Sequence, residues 1–229
     1  TQNDYKVECS KRPIQAFKGW DVSEIEPSDI YEYMQARSKE SIRRTNLELV
    51  WLRHVLGFAV TQAAVSVNVC RDIKPLREPW KKPKPYVTDY NYRCMFAKAN
   101  APARVAMEIS YCTGIRLGDT LKLRWDDIDE SILITEGKTN HTYKKDISPR
   151  LAKALDAAKL LPGHRFGGWV VRTSKGGRYT VSGFQANWKR AKNNMPAHRQ
   201  FTFHQIRKKA VTDAQGDKQK FSMHSDARM

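Results

Sequence analysis

Apolar positions along the chain follow two rhythms. In residues 27–36, Ile30, Tyr33 and Met34 share one helical face, and Pro27 suits the first turn of that helix. In residues 41–63, Leu47, Val50, Trp51, Val55 and Phe58 recur at steps of three and four. That spacing predicts a longer helix with Arg43, Arg44, Arg53 and Glu48 left to solvent or ligand. The lobe before residue 74 therefore reads as all-helical. Farther on, Thr88 and Asp89 open a helix carrying Tyr92, Met95, Phe96 and Ala99, and Pro102 opens another, with Val105, Met107 and Ile109, that stops near Thr113 and Gly114. The period then shortens. Residues 121–129, 131–137 and 142–149 predict short strands separated by turns, after which Pro149 starts a helix with Leu151, Ala154, Leu155 and Ala158. Helices are predicted again at 182–193 and at 203–214, the last capped by Thr202. The fold class that follows is mainly α with a small antiparallel β-sheet (α+β), an all-helical lobe preceding a mixed one.

Charge divides the chain at the same point. Residues 1–73 hold ten basic and ten acidic side chains, whereas residues 74–229 hold 31 and 14, so the whole formal charge of +17 lies in the second part. The join, residues 74–86, carries four prolines and five basic residues and resists helix. We read three parts: a helical lobe (1–73), a basic linker (74–86) and a mixed lobe (87–229). A surplus of this size favours a polyanionic partner, nucleic acid ahead of anionic membrane. Lys81, Lys82 and Lys84 in the linker, and Arg43 and Arg44 in the first lobe, are candidates for phosphate contact. With 229 residues and 40% hydrophobic content there is enough apolar material for a real core. No run of about 18 apolar residues exists and residues 1–10 lack a signal pattern, so neither membrane spanning nor secretion is expected. The four cysteines, Cys9, Cys70, Cys94 and Cys112, form no C-x-x-C pair, which fits reduced thiols in a cytosol and assigns them no role. The first residue is Thr rather than Met, as in a trimmed fragment.

Familiar catalytic motifs fail. Gly137-Lys138-Thr139 ends like a phosphate-binding P-loop, but Ile132 stands where that loop needs glycine. Neither G-x-G-x-x-G nor H-E-x-x-H occurs, no G-x-S-x-G elbow is present, and His198 with His204 has no third ligand at a suggestive distance, so no metal site is expected.

Three segments remain: TGIRLGDTLKLRWDDID at 113–129, TEGKTNHTYKKDIS at 135–148 and FTFHQIRKKA at 201–210. Together they resemble the tyrosine recombinase family, the phage integrases and their relatives, and the resemblance extends to the helical first lobe and the basic linker. The first segment is similar to the family's T-G-x-R-x-x-E-[LI]-x-x-L-x-W-x-D-[IV] stretch, which makes Arg116 the first catalytic arginine and puts Asp119 where Glu is usual. In the second, Lys138 matches the hairpin lysine that acts as general acid toward the leaving 5′ oxygen, while Lys144 and Lys145 are nearby candidates for phosphate contact. The third matches H-x-[LI]-R, giving His204 and Arg207 a three-residue spacing on one helix face. MHSDARM at 223–229 resembles G-H-[ST]-[DS], with His224 as the last active-site member and Met223 in place of the usual Gly. The step from Arg207 to His224 is short for the family, through either a short loop or residues missing near 214–217.

The family's nucleophilic tyrosine follows that histidine. All nine tyrosines of this chain lie upstream of it, so the resemblance implies a fragment lacking the nucleophile and unable to cleave by itself. For the parent protein it implies a site-specific recombinase that cuts and rejoins double-stranded DNA at attachment sites through a 3′ phosphotyrosine. No cofactor or metal is implied. The parent works as a homotetramer, with weaker assembly for the fragment, in the cytoplasm of a bacterial host, nucleoid-associated when DNA-bound. The residue types suit that chemistry, since two arginine forks can hold the nonbridging oxygens of a phosphate. Two alternatives stand beside it: a noncatalytic DNA-binding or architectural protein of the same fold, and a type IB topoisomerase-like enzyme that shares the chemistry.

Overall fold

A computed structural model describes residues 2–80, 85–137, 140–163 and 168–214, with side chains from Cys9 onward. The chain divides into two compact units, Thr1–Pro83 and Lys84–Met229. Both ends of the Pro-rich join are hydrogen-bonded within their own units. The Asn46 amide brackets Leu76, donating to its carbonyl and accepting its N–H, each at 2.8 Å. At the other end the Pro85 carbonyl accepts from Gln205 Nε2 at 3.2 Å, and Tyr86 donates its hydroxyl to Asp213 at 2.6 Å.

The first unit is helical. Helix α1 spans Gln2–Ala16, a helix that the sequence reading did not foresee because Pro13 lies inside it and interrupts the pattern. Helix α2 spans Pro27–Thr61 and breaks at Ser41, which is extended (φ −166°) and accepts the Arg44 N–H on its hydroxyl at 3.4 Å. That local cap restarts the helix after the break.

Ile30 and Met34 are buried as expected, whereas after Ser41 the buried face of α2 differs from the expected one. Its core side chains are Ile30, Met34, Leu49, Leu52 and Leu56, joined by Cys70 and Ile73, while Val55 is exposed and Phe58 is 66% exposed. A buried ion pair accompanies this orientation. Glu48, expected at the surface, is buried and accepts Arg37 Nε and Nη2 at 3.0–3.2 Å and the Tyr33 hydroxyl at 2.8 Å. Arg53, also expected free, donates to the Cys70 carbonyl at 3.0 Å and the Ile73 carbonyl at 2.7 Å, stapling residues 70–73 to the helix.

In the second unit, α3 (Asp89–Lys98) starts at the Thr88 cap and α4 (Ala101–Thr113) at the Asn100 cap. Helix α4 is buried on most of its circumference, through Ala103, Val105, Ala106, Met107, Ile109, Ser110 and Thr113. A helix apolar on nearly every side belongs at the centre of its unit. It packs against α5 (Leu117–Thr120), α6 (Pro149–Lys159) and α8 (His204–Asp213), with α7 (Val181–Asn193) completing the shell. The sheet among the described residues is one antiparallel pair, β1 (Ser131–Thr135) with β2 (Thr142–Asp146). Its inner face is Ile132 and Ile134.

Two local expectations are corrected. Residues 121–129 do not form a strand. A 3-10 turn, Trp125–Asp127, occupies the segment because the Asp127 carboxylate accepts the Arg124 N–H at 2.9 Å and draws the backbone into a turn, leaving single bridges to Trp169 and Ile132. Thr202 does not cap α8 either. It donates both its N–H and its hydroxyl to Gln205 Oε1, so the side chain inside the helix caps the residue before it.

Candidate functional site

The site begins where α4 ends. Gly114 takes a left-handed conformation (φ +74°) that only glycine adopts without strain, and its N–H donates to the Ser110 carbonyl at 2.9 Å. Flanking hydroxyls lock the turn: Ser110 donates to the Ile115 carbonyl at 3.1 Å and Thr113 to the Ile109 carbonyl at 2.6 Å. Arg116 then stands as the residue before α5, its carbonyl accepting the Asp119 and Thr120 N–H groups and the Thr120 hydroxyl at 2.9–3.1 Å. Its backbone is thereby fixed while its side chain stays 30% exposed.

That side chain reaches the β-hairpin. Arg116 Nη1 donates to Glu136 Oε1 at 2.7 Å, and Arg207 Nη1, from α8, lies 3.8 Å from the same oxygen. The two nitrogens are therefore less than about 6.5 Å apart, the two legs laid end to end. At that separation, with an effective dielectric near 20, two unit charges repel by about 3 kcal/mol. Glu136 offsets this cost. Arg207 is 6% exposed, and burial, followed by the Arg116 charge, lowers its guanidinium from its ordinary range. Burial, with Glu136 next in importance, pushes the Tyr143 phenol up to about 12.

Glu136 was missed by the sequence reading, although a signal for it exists. Ile132, Ile134 and Glu136 are alternate residues, all buried, so the carboxylate continues the inner face of β1. A charge at an inward strand position calls for a partner. Its backbone is held as well: the Glu136 N–H donates to the His141 carbonyl at 2.9 Å, and its carbonyl accepts the Asn140 N–H at 2.8 Å.

Asp119, the residue where Glu was expected by resemblance, is buried and forms no ion pair with an arginine among the described residues, although its charge acts on Arg207. Its Oδ1 accepts the Gly137 N–H at 2.9 Å, while Oδ2 is buried with no hydrogen-bond partner among the described residues. Glycine at 137 is required by close approach, since a Cβ there would stand 3.0 Å from Lys122 Nζ and 3.2 Å from Asp119 Oδ1.

The remaining expected residues separate. His204 is exposed at the first position of α8, beside a groove of about 590 Å³ lined by Leu117, Ser182, Gln185, Lys189 and Phe203. One turn along the helix, Arg207 is buried. The hairpin register parts Lys144, opposite the exposed Leu133, from Lys145, opposite the buried Ile132. Lys145 is half-buried, and burial lowers its ammonium from its ordinary range. Expected as a pair of phosphate contacts, the two therefore present different faces. Arg43 and Arg44 are exposed on α2 in the first unit. Lys138, His224, Lys81, Lys82 and Lys84 lie outside the described residues. Among the described residues no three His, Cys, Asp or Glu side chains gather as a metal ion would need, and no helix is long and apolar enough to cross a membrane.

Comparison with known proteins converges on one group. Residues 88–214 match the model of the phage integrase family. Tyrosine recombinase XerC of Xanthomonas campestris pv. campestris (strain B100) is 21% identical over 145 residues, covering 57% of this chain and 45% of that protein. The chain thus spans about half the length of the curated relatives it matches. Among solved structures, a lambda integrase dimer bound to a COC′ core site superposes with a TM-score of 0.80 at 16% identity, covering 98% of this chain and 87% of that one. A lambda integrase tetramer bound to a Holliday junction gives 0.81 at 17%, covering 99% and 72%. The Tn1549 transposon integrase in complex with circular intermediate DNA gives 0.72 at 14%, covering 99% and 87%. At these identities the structural likeness establishes the fold.

Proposed function

We propose, starting from the fact that the chain belongs to the phage integrase family of tyrosine recombinases, that Arg116 and Arg207 grip the scissile phosphate of duplex DNA for strand cutting and rejoining through a 3′ phosphotyrosine. One observation carries this reading. Two arginines far apart in sequence converge on a single carboxylate oxygen, Arg207 buried and Arg116 partly open.

The chemistry asks for that pairing. When a tyrosine hydroxyl attacks a phosphodiester, negative charge builds on the nonbridging oxygens and the departing 5′ oxygen needs a proton. Each guanidinium can offer two N–H donors in a rigid fork, which a lysine point charge cannot reproduce. Partial burial strengthens these contacts because little water competes for them. Lys138 delivers the proton to the 5′ oxygen, as the resemblance implies, with its hairpin anchored at Gly137 by Asp119. His204 and His224 orient the phosphate or exchange protons with the nucleophile. Lys144, Arg43, Arg44 and the linker lysines contribute sequence-independent affinity that falls steeply with salt. For assembly, the lambda integrase tetramer bound to a Holliday junction supports four copies of the full-length protein on DNA.

The test uses the full-length protein and a library of nicked duplexes of randomised sequence, with covalent adducts captured under denaturing conditions. A DNA 3′ phosphate linked to tyrosine is the expected product. Arg116→Ala and Arg207→Ala should each reduce its formation by about 10²–10³. Duplex binding with no adduct on any sequence would overturn the cleavage reading in favour of a noncatalytic DNA-binding protein.

A further inference from the structure

We infer that Glu136 is a positioning residue for this reaction: its buried carboxylate holds Arg116 and Arg207 as a pair, at a spacing from which both reach one phosphate, and remains behind them while DNA is bound. The inference rests on the phosphate-gripping role proposed above for the two arginines.

Four features carry it. First, the same oxygen of Glu136 stands 2.7 Å from Arg116 Nη1 and 3.8 Å from Arg207 Nη1, so a single group neutralises part of the repulsion between two neighbouring cations. Second, its side chain is 4% exposed against 30% for Arg116, which sets the carboxylate deeper than the arginine that is open to a ligand. A phosphate arriving from solvent meets Arg116 before it can meet Glu136. Third, Arg116 hydrogen-bonds through Nη1 alone among the described residues, which leaves its other donors for an incoming anion. Fourth, Glu136 occupies an inward strand position after Ile132 and Ile134, where an apolar side chain would extend the core. A carboxylate there costs free energy unless paired, and the two arginines are ion-pair partners of it.

Charge balance favours the same role. While no phosphate is present, Glu136 offsets one of the two guanidinium charges. Without Glu136 the cations would separate or recruit a solvent anion, and the entering phosphate would first have to gather them. A displacement of that kind acts on the rate of the chemical step more than on duplex affinity, because most phosphate contacts lie elsewhere.

The experiment compares wild type with Glu136→Gln, Glu136→Asp and Glu136→Ala in the full-length protein, on a duplex recovered from the adduct library. Single-turnover adduct formation, duplex affinity and thermal melting are read separately. The expected result is adduct formation slowed about 10- to 100-fold in Glu136→Gln, with duplex affinity within about threefold of wild type and part of the rate restored in Glu136→Asp, which keeps the charge. A Glu136→Gln rate equal to wild type overturns the inference. A faster rate does so too, because it would make Glu136 a plug in the phosphate's position.

A second readout does not require cleavage. In the 15N side-chain spectrum of the DNA-free protein, Arg116 should show restricted Nη rotation, assigned with Arg116→Lys and lost in Glu136→Ala. Free rotation in wild type overturns the inference. Absence of adduct in every variant, wild type included, sinks the cleavage reading instead and leaves the spectrum to decide this one.

Discussion

Asp119 accepts the Gly137 backbone N–H through Oδ1 at 2.9 Å, tying the four-residue helix α5 to the turn of the hairpin that carries Glu136. Removing that acceptor gives up a hydrogen bond to a buried carboxylate, a loss of about 1–3 kcal/mol. Asp119→Ala is therefore expected to lower the melting temperature by roughly 2–10 °C, by circular dichroism. Asp119→Asn retains an Oδ1 acceptor and should lose less than half as much. Equal losses in the two variants would show that the hydrogen bond is not what stabilises the turn.

The Arg37–Glu48 pair makes a second prediction, in the first unit. Both side chains are buried, and Glu48 draws the guanidinium of Arg37 above its ordinary range by hydrogen bonding. Removing Glu48 leaves the buried Arg37 with the exposed Glu40 as its ion-pair partner among the described residues, a break that costs up to about 3–5 kcal/mol, whereas replacing both Arg37 and Glu48 with apolar residues of similar volume is near neutral. Glu48→Leu alone should destabilise the first unit strongly, and Arg37→Met combined with Glu48→Leu should recover most of the loss in denaturant melts. A double variant as unstable as the single one would contradict this account.

Hairpin register predicts unequal roles for two adjacent lysines. Lys144 faces outward opposite Leu133, while Lys145 faces inward opposite Ile132. On the proposed DNA-binding reading, Lys144→Ala should reduce the slope of log affinity against log salt by about one, and Lys145→Met should leave the slope unchanged. Fluorescence anisotropy titrations across a salt series give both slopes. The reverse assignment would mean that the hairpin binds DNA through its other face.

Alkaline pH tests the tyrosines packed in the second unit. Burial raises Tyr143 to about 12 and Tyr111 to about 12, with hydrogen bonding to Asp213 the next cause for Tyr111. Folding thus favours the protonated phenol of each. The corresponding stability is fully present below the unfolded value near 10 and is lost as pH rises toward 12. Ultraviolet absorbance titration should show these two phenols ionising late, and Tyr111→Phe and Tyr143→Phe should each remove one late-titrating group. Loss of an early-titrating group in either variant would contradict the burial argument.

How far the sequence can be read varies with the element. The cap at Thr88, with proline at the start of α2 and α6, announces helices, and the structure has helices there. Residues 121–129 misled because alternating Leu, Leu and Trp have the period of a strand, yet Asp127 captures the Arg124 N–H and consumes the backbone donors in a turn. Helix α2 misled in another way. Its apolar residues suit two faces, and the Glu48 pairing with Arg37 accompanies burial of the Leu49, Leu52 and Leu56 face. In the site, Arg116 and Arg207 are conspicuous by motif, whereas Glu136 is an ordinary acidic residue until its strand position is known.

The amino-acid sequence by itself determined the α-helices other than α1 and α5, the short antiparallel hairpin and the concentration of positive charge after residue 73, because periodicity, capping and composition act over a few residues. Only the tertiary structure decided that Arg116 and Arg207 meet over one carboxylate, that Lys144 and Lys145 part company, and which side of α2 is buried. Those outcomes depend on groups distant along the chain competing for the same buried partners, and local sequence does not encode which of them meet.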